Sequence, residues 1–204
     1  MIDDHVVVRS GIKTLLTGLY DDAEVDEAKD GETAMAQVKQ GDYDLAMLDI
    51  RMPNTDTFSL MEFFKKEYPS LRVLIFSMSP ENVYALRFIK AGARGFLSKD
   101  APLEEIKKAI DLVLNEKKYI SEELLFALAE GQVPGVGDNP FNSLSAREFE
   151  IVALLLHGKT ISNIAADLHL GISTVGTHKS RIFGKLKISN LLELQELANS
   201  YDIK

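Results

Sequence analysis

Cysteine is absent from the chain, which excludes disulfides and thiolate metal sites and fits a reducing compartment. An opening charged-then-apolar stretch of the secretory kind is also missing. The longest apolar runs, such as residues 151–156, fall far short of the roughly 20 residues that span a bilayer. A soluble cytoplasmic protein with no membrane partner is expected. Cations are scarce, 23 Lys and Arg against 31 Asp and Glu, and the net charge of −8 argues against a generic nucleic-acid coat.

That scarcity is uneven. From Ser143 onward there are 7 cations and 6 acids, so this part carries +1 and the remainder −9. Residues 173–187 hold four cations and no acid. Such a stripe is an electrostatic footprint for phosphates, or else a solvated helix face. With 204 residues, 46% of them apolar, the chain has room for two domains, each with a core.

Residues 23–28, 45–49, 72–77 and 95–97 read as strands, and residues 5–19, 30–40, 57–67, 81–91 and 102–115 as helices. The runs at 45–48 and 73–76 are continuously apolar, as strands buried on both faces should be. Asp30 and Pro102 mark helix starts. Repeating strand–helix units predict an α/β fold with a doubly wound parallel sheet, which binds ligands at the carboxyl ends of its strands. One more helix is expected at 121–130. Residues 131–140 then hold three Gly and two Pro, a linker composition. Beyond it the pattern is all-helical: 146–157, 161–168, 173–186 and 191–200. The domains are thus 1–118, a linker with a short helix at 119–142, and 143–204.

Asp49 closes a buried strand, and Asp3 and Asp4 end whatever short strand precedes the first helix. If those strands are neighbours, three carboxylates converge and repel unless a cation sits among them. Oxygen ligands with room for water suit Mg²⁺. Two further strand ends supply the Ser77 hydroxyl and the Lys99 ammonium. Singly, each has a bland reading, a turn or cap for an Asp and an idle surface charge for a Lys. Together they form a phosphoryl-transfer site, since that chemistry mainly needs alignment and charge neutralisation.

Asp3-Asp4-His5, Asp49-Ile50-Arg51-Met52-Pro53, Ser77-Met78-Ser79 and residues 92–100 resemble the receiver domain of response regulators, most closely the NarL/LuxR-type branch. The resemblance implies a CheY-like fold whose Asp49 is phosphorylated by a sensor histidine kinase. Asp4, Asp49 and the backbone carbonyl of Arg51 would hold Mg²⁺, with Asp3 acting partly through water. Ser77 and Lys99 would contact phosphoryl oxygens. Phe96 occupies the place of an aromatic switch residue that reorients when Ser77 moves, the alternative being plain core packing. The chain departs from the pattern at Thr57, where the family often has glycine. A threonine there can cap the next helix and alter loop stiffness. Asp100 stands where the broader family has proline, a pattern familiar in this branch. Aspartyl phosphohydrolases place a second Asp two residues after the nucleophile; here that residue is Arg51. Without that general acid, no enzyme is expected.

Leu144-Ser145-Ala146-Arg147-Glu148 opens the last domain with a hydroxyl cap and an acidic first turn. Ile151, Leu154 and Leu155 form the core stripe of its first helix. A short helix, a turn at 169–172 with Gly171, and a second helix make a helix-turn-helix. In the second helix Val175, His178, Ile182 and Leu186 share an inward face. The opposite face offers Thr177, Ser180, Arg181 and Gly184, with Lys179, Lys185 and Lys187 at its flanks, suited to a major groove. Residues 144–194 resemble the LuxR-type DNA-binding domain. That places Lys159, Thr174, Thr177, Lys179, Ser180, Arg181 and Lys185 towards double-stranded DNA. It also gives Leu191, Leu194 and Ala198 a place in a homodimer, the alternative being internal packing. Gly176 stands where relatives commonly carry lysine.

The expected protein is a phosphorylation-controlled transcription factor. The rivals are a phosphate-independent factor with a receiver-like dimerisation module, and an aspartyl phosphatase. Only Met1 and Ile2 precede Asp3, whereas a strand usually has about 5–6 residues. A short apolar stretch upstream of Ile2 in the natural protein is therefore expected, because an empty central slot would leave neighbouring backbone groups unpaired.

Overall fold

The computed structural model describes residues 1–53, 55–129, 139–168, 170–201 and 203. They form two compact units, Met1–Glu122 and Glu123–Lys204. Residues 130–138 of the expected linker and His169 of the expected turn lie outside the described residues.

In the first unit, β1 (Leu45–Leu48), β2 (Arg72–Ser77) and β3 (Gly95–Ser98) form a parallel sheet in the order β1-β2-β3. Single bridges extend it. Ile2 pairs with both Leu48 and Ala28, and Tyr119 pairs with Gly95. The expected strand at 23–28 is thus reduced to Ala28. A stretch rich in Asp and Glu offers little apolar surface to hold a longer ladder. The segment before Asp3 is equally short but fully engaged. Ile2 N donates to Met47 O at 2.9 Å, Asp49 N to Ile2 O at 2.9 Å and Asp3 N to Ala28 O at 3.0 Å. The central slot is therefore filled at its Asp49 end, with no open gap between Ala28 and Leu48 there.

Two helix layers cover the sheet. Met47, Leu74, Phe76 and Leu97 meet Ile12 of α1 (Val6–Leu19) and Ile106, Ala109, Ile110 and Val113 of α5 (Leu103–Leu114). Strand residues of the other parity, Leu48, Val73, Ile75 and Phe96, point to the opposite face. There α2 (Gly31–Val38), α3 (Thr57–Glu67) and α4 (Glu81–Ala91) bring Ala34, Phe64 and Phe88 to the core, and Phe58 stacks on Phe88 at 4.3 Å. Each fully buried Phe contributes roughly 1.5–3 kcal/mol. Gly95 lets the backbone of Tyr119 pass, since a Cβ there would lie 2.8 Å from Tyr119 O. Two cap expectations are corrected. Pro102 is the residue before α5 rather than in its first turn. Thr57 does not cap α3; Asp56 does, accepting from Ser59 N at 3.1 Å, while buried Thr57 donates its hydroxyl to Ile50 O at 3.2 Å.

The second unit contains α7 (Ala146–Leu156), α8 (Ile161–Asp167), α9 (Ile172–Leu186) and α10 (Leu191–Ser200), with α6 (Glu122–Ala129) beginning at the boundary. The expected hydroxyl cap and acidic first turn of α7 are joined: Ser145 and Glu148 close a capping box. Phe149, Ile151, Val152 and Leu155 are buried; Leu154, expected inside, is only half-buried because the inward stripe turns towards Phe149 and Val152. Phe141 meets the Phe149 ring edge-on at 6.4 Å. Leu194 and Ala198 of α10 are buried within this unit, whereas Leu191 and Leu192 are exposed.

Candidate functional site

Parallel strands in register end together, so the residues just past their carboxyl ends share one edge. Backbone bonds fix the alignment: Asp49 N donates to Ile2 O, and Lys99 N to Ser77 O at 3.1 Å. Asp3, Asp49, Ser77 and Lys99 therefore converge, as expected. Asp49 is 3% exposed. Its Oδ1 accepts from Ser77 Oγ and from Ile50 N, both at 2.7 Å, and its Oδ2 accepts from Lys99 Nζ at 2.7 Å. Lys99 Nζ also lies 2.6 Å from Asp3 Oδ2, an ion pair without well-aimed hydrogen-bond geometry. Burial alone would depress the Lys99 pKa, but its pairing with Asp3 and Asp49 outweighs this and raises it. Its stabilising contribution is thus present throughout neutral pH and is lost only as pH rises through this elevated value.

Asp3, Asp4, His5 and Asp49 bring potential ligand atoms within 4.8 Å of one another. Asp3 is completely buried and Asp4 half-buried; Asp3 Oδ2 and Asp4 Oδ1 lie beside Lys99 Nζ and His5 Nδ1 but accept no well-aimed hydrogen bond among the described residues. Three carboxylates face one ammonium, so the cluster is short of positive charge. An oxygen donor set of this kind fits a hard divalent cation such as Mg²⁺. Arg51, whose carbonyl was expected to join the set, is exposed beside the cluster, with its N–H 3.4 Å from Asp49 Oδ1. Phe96 is 1% exposed on β3.

Three supporting roles escaped the sequence reading. His5 Nδ1 bridges Asp4 Oδ1 at 2.7 Å and Asp3 Oδ1 at 3.2 Å. Arg9 donates to Asp3 O at 2.7 Å while its Nε meets Glu27, which pins the acidic turn to the start of α1. Thr57 ties the loop after Asp49 back to Ile50. For Arg9 a weak signal existed, a cation one turn into the helix that follows an acidic pair. Nothing local marks Glu27.

The other candidate surface is α9. Val175, Ile182 and Leu186 are buried, and His178 is half-buried, at the core edge. Thr174, Thr177, Ser180 and Arg181 are exposed together on the opposite side. The remaining expected contacts are engaged elsewhere. Lys179 Nζ lies 5.2 Å from the Phe183 ring centre, Lys159 pairs with Asp167, and Lys185 Nζ is 2.6 Å from buried Glu148. Burial pushes the Glu148 carboxyl up, but its bonds from Lys185 and Ser145 prevail and hold it below the usual range.

Comparison with known families joins the two surfaces. The model of the response regulator receiver domain matches residues 1–111, and that of the bacterial regulatory proteins of the luxR family matches residues 142–198. The chain is a DNA-binding response regulator of the LuxR family. This regulator is 32% identical over 199 residues to the response regulator GacA of Pseudomonas viridiflava, covering 97% of this chain and 93% of that protein. It is 30% identical to the response regulator UvrY of Escherichia coli strain K12, covering 97% and 91%. The Fimbriae Z protein of Salmonella typhimurium is 32% identical over 203 residues, covering 100% and 96%. RcsB from Salmonella enterica serovar Typhimurium, solved bound to promoter rprA in the presence of the phosphomimetic BeF3−, shares the regulator's fold, with a TM-score of 0.75, 24% identity and coverage of 96% and 95%. No helix among the described residues is long and apolar enough to cross a membrane.

Proposed function

We propose that the regulator is a phosphorylation-controlled transcription factor whose Asp49 accepts a phosphoryl group from a phosphohistidine of a sensor histidine kinase. The carrying observation is the buried Asp49 carboxylate held between Ser77 and Lys99 beside an under-neutralised acidic cluster. In the transfer the kinase's N–P bond breaks, an Asp49 O–P bond forms, and the leaving imidazole takes up a proton. Lys99 and Ser77 already point at the two Asp49 oxygens, so they are placed to follow charge onto the incoming phosphoryl oxygens. Asp3, Asp4 and Asp49 would hold Mg²⁺, which supplies further neutralisation of phosphoryl charge when bound.

The acyl phosphate is a signal rather than an intermediate in turnover. Exposed Arg51 stands where a phosphohydrolase has its second carboxylate, so no general acid accompanies the nucleophile. A group of about −1.5 to −2 charge at Asp49 repels Asp3 and competes for Lys99 and Ser77. Withdrawal of Ser77 towards it offers a route to Phe96 and to dimerisation of the regulator on double-stranded DNA, with α9 entering the major groove.

The test uses the full chain. With Mg²⁺ and acetyl phosphate, wild type should gain one phosphoryl group by mass, and Asp49→Asn none; equal incorporation in the two would refute the assignment. Duplex binding should be steeply salt-dependent, and Arg181→Ala should flatten the slope of log K against log salt by about 0.9.

A further inference from the structure

An α-helix turns about 100° per residue. Opposite the buried Val175, Ile182 and Leu186 of α9 therefore lie Ser173, Thr174, Thr177, Ser180, Arg181 and Gly184, all exposed. A recognition helix contacts base edges mainly through its N-terminal turns. Here those turns present Ser173, Thr174 and Thr177 on that face, with exposed Ile172 at the start of the helix. Selective base reading by hydrogen bonds uses Arg or Lys on guanine, Asn or Gln on adenine, or a carboxylate on cytosine, whereas Ser and Thr hydroxyls discriminate less. This part of the face carries none of the selective groups. Lys179 lies over Phe183 and Lys185 on Glu148, so neither is directed there.

The hydroxyls are turned inward too. Thr177 Oγ1 donates to Ser173 O at 3.0 Å and Ser180 Oγ to Gly176 O at 3.1 Å, so both donor protons are spent on the helix itself. Thr174 Oγ1 faces Gly171, where an added Cβ would meet it at 3.4 Å. Thr177 then has an acceptor oxygen and its methyl group left to present, and Thr174 its methyl beside a hydroxyl turned towards Gly171. The one apolar feature of a base edge in the major groove is the thymine C5-methyl. Gly176 and Gly184 leave open space above the helix, which permits close approach to the groove.

We propose that Thr174 and Thr177 are specificity-determining residues that pack their methyl groups on thymine C5-methyls, so that bound half-sites carry thymine beneath the first two turns of α9. The inference rests on the DNA-binding reading of α9. Arg181, two turns in, serves the phosphates.

The experiment selects duplexes bound by the full-length, phosphodonor-treated regulator from a random pool, then replaces each thymine of the selected site by uracil, which removes only the C5-methyl. At one or two positions per half-site affinity should fall about four-fold, the equivalent of the ~0.8 kcal/mol of one buried methyl. Thr177→Val keeps the methyls and should retain affinity and uracil sensitivity. Thr177→Ser should lose affinity and become indifferent to uracil at its position. Salt-dependent binding that no uracil weakens, or Thr177→Val binding as poorly as Thr177→Ser, would overturn the methyl assignment while leaving α9 as the DNA-binding helix. No salt-dependent binding to any duplex would overturn the DNA-binding reading, and the assignment with it.

Discussion

Lys185 has two competing demands on its ammonium, and substitution separates them. Glu148 is 4% exposed and accepts from Ser145 N at 2.7 Å and from Lys185 Nζ at 2.6 Å, joining the start of α7 to the last turn of α9. Removing one partner of a fully buried ion pair costs about 3–5 kcal/mol. The Lys185 side chain is 40% exposed, and solvent screening lowers the expected loss for Lys185→Met to about 1–2 kcal/mol. Glu148→Ala also removes the capping box, a further ~1 kcal/mol. Glu148→Gln keeps the cap and loses only the charge. In a domain of this size each kcal/mol moves the melting point by about 4–8 °C. Calorimetry of the full chain should therefore place the C-terminal transition lower in the order wild type, Glu148→Gln and Lys185→Met together, then Glu148→Ala.

The pH dependence carries a sign. Because the folded Glu148 pKa is lowered, its contribution is complete above the ordinary value of 4.5 and is lost as pH falls through the folded value. The gap between wild type and Lys185→Met should accordingly narrow in acid. A Lys185→Met variant that melts like wild type at neutral pH but loses duplex affinity and salt dependence would refute the clamp and return Lys185 to the phosphates.

Two other perturbations follow from the same geometry. Lys99→Met leaves the buried Asp3 and Asp49 carboxylates facing each other, so stability should fall by roughly 3–5 kcal/mol and Mg²⁺ should raise the melting point more than in wild type; a Mg²⁺ response no larger than wild type's would refute the charge accounting. At Gly176 an added Cβ meets no atom within 4 Å, so Gly176→Lys should stabilise α9 by about 0.5–0.8 kcal/mol and tighten non-specific duplex binding with a steeper salt slope; unchanged binding in filter assays would place the position away from DNA.

Much of the fold was legible because its signals are local and periodic. The apolar runs at Leu45–Leu48 and 73–76 read as buried strands, and the helix bounds of α3, α4 and α10 fall where patterning puts them. Asp49, Ser77 and Lys99 were legible for a related reason: each closes a recognisable strand, and parallel strands must end side by side. The first strand and the stretch at 23–28 were less so. Isolated bridges such as those of Ile2 and Ala28 are stabilised by their neighbours' backbone groups rather than by their own sequence.

Side-chain pairing across long separations was not legible at all. Lys185 and Glu148 lie 37 residues apart, and helical phase puts Lys185 at the flank of α9, within reach of either a phosphate or α7. Charge patterning cannot choose between them. The choice is made by the packing of α7 on α9, which brings a buried carboxylate to the ammonium before any ligand arrives. Thr57 follows the same logic: its β-branched hydroxyl could cap a helix or grip a carbonyl. The Asp56 carboxylate takes the cap, leaving the hydroxyl to Ile50 O, one residue from Asp49. A substitution at either position thus reports on tertiary structure first and on ligand contact second, so stability must be measured beside affinity before a binding role is assigned.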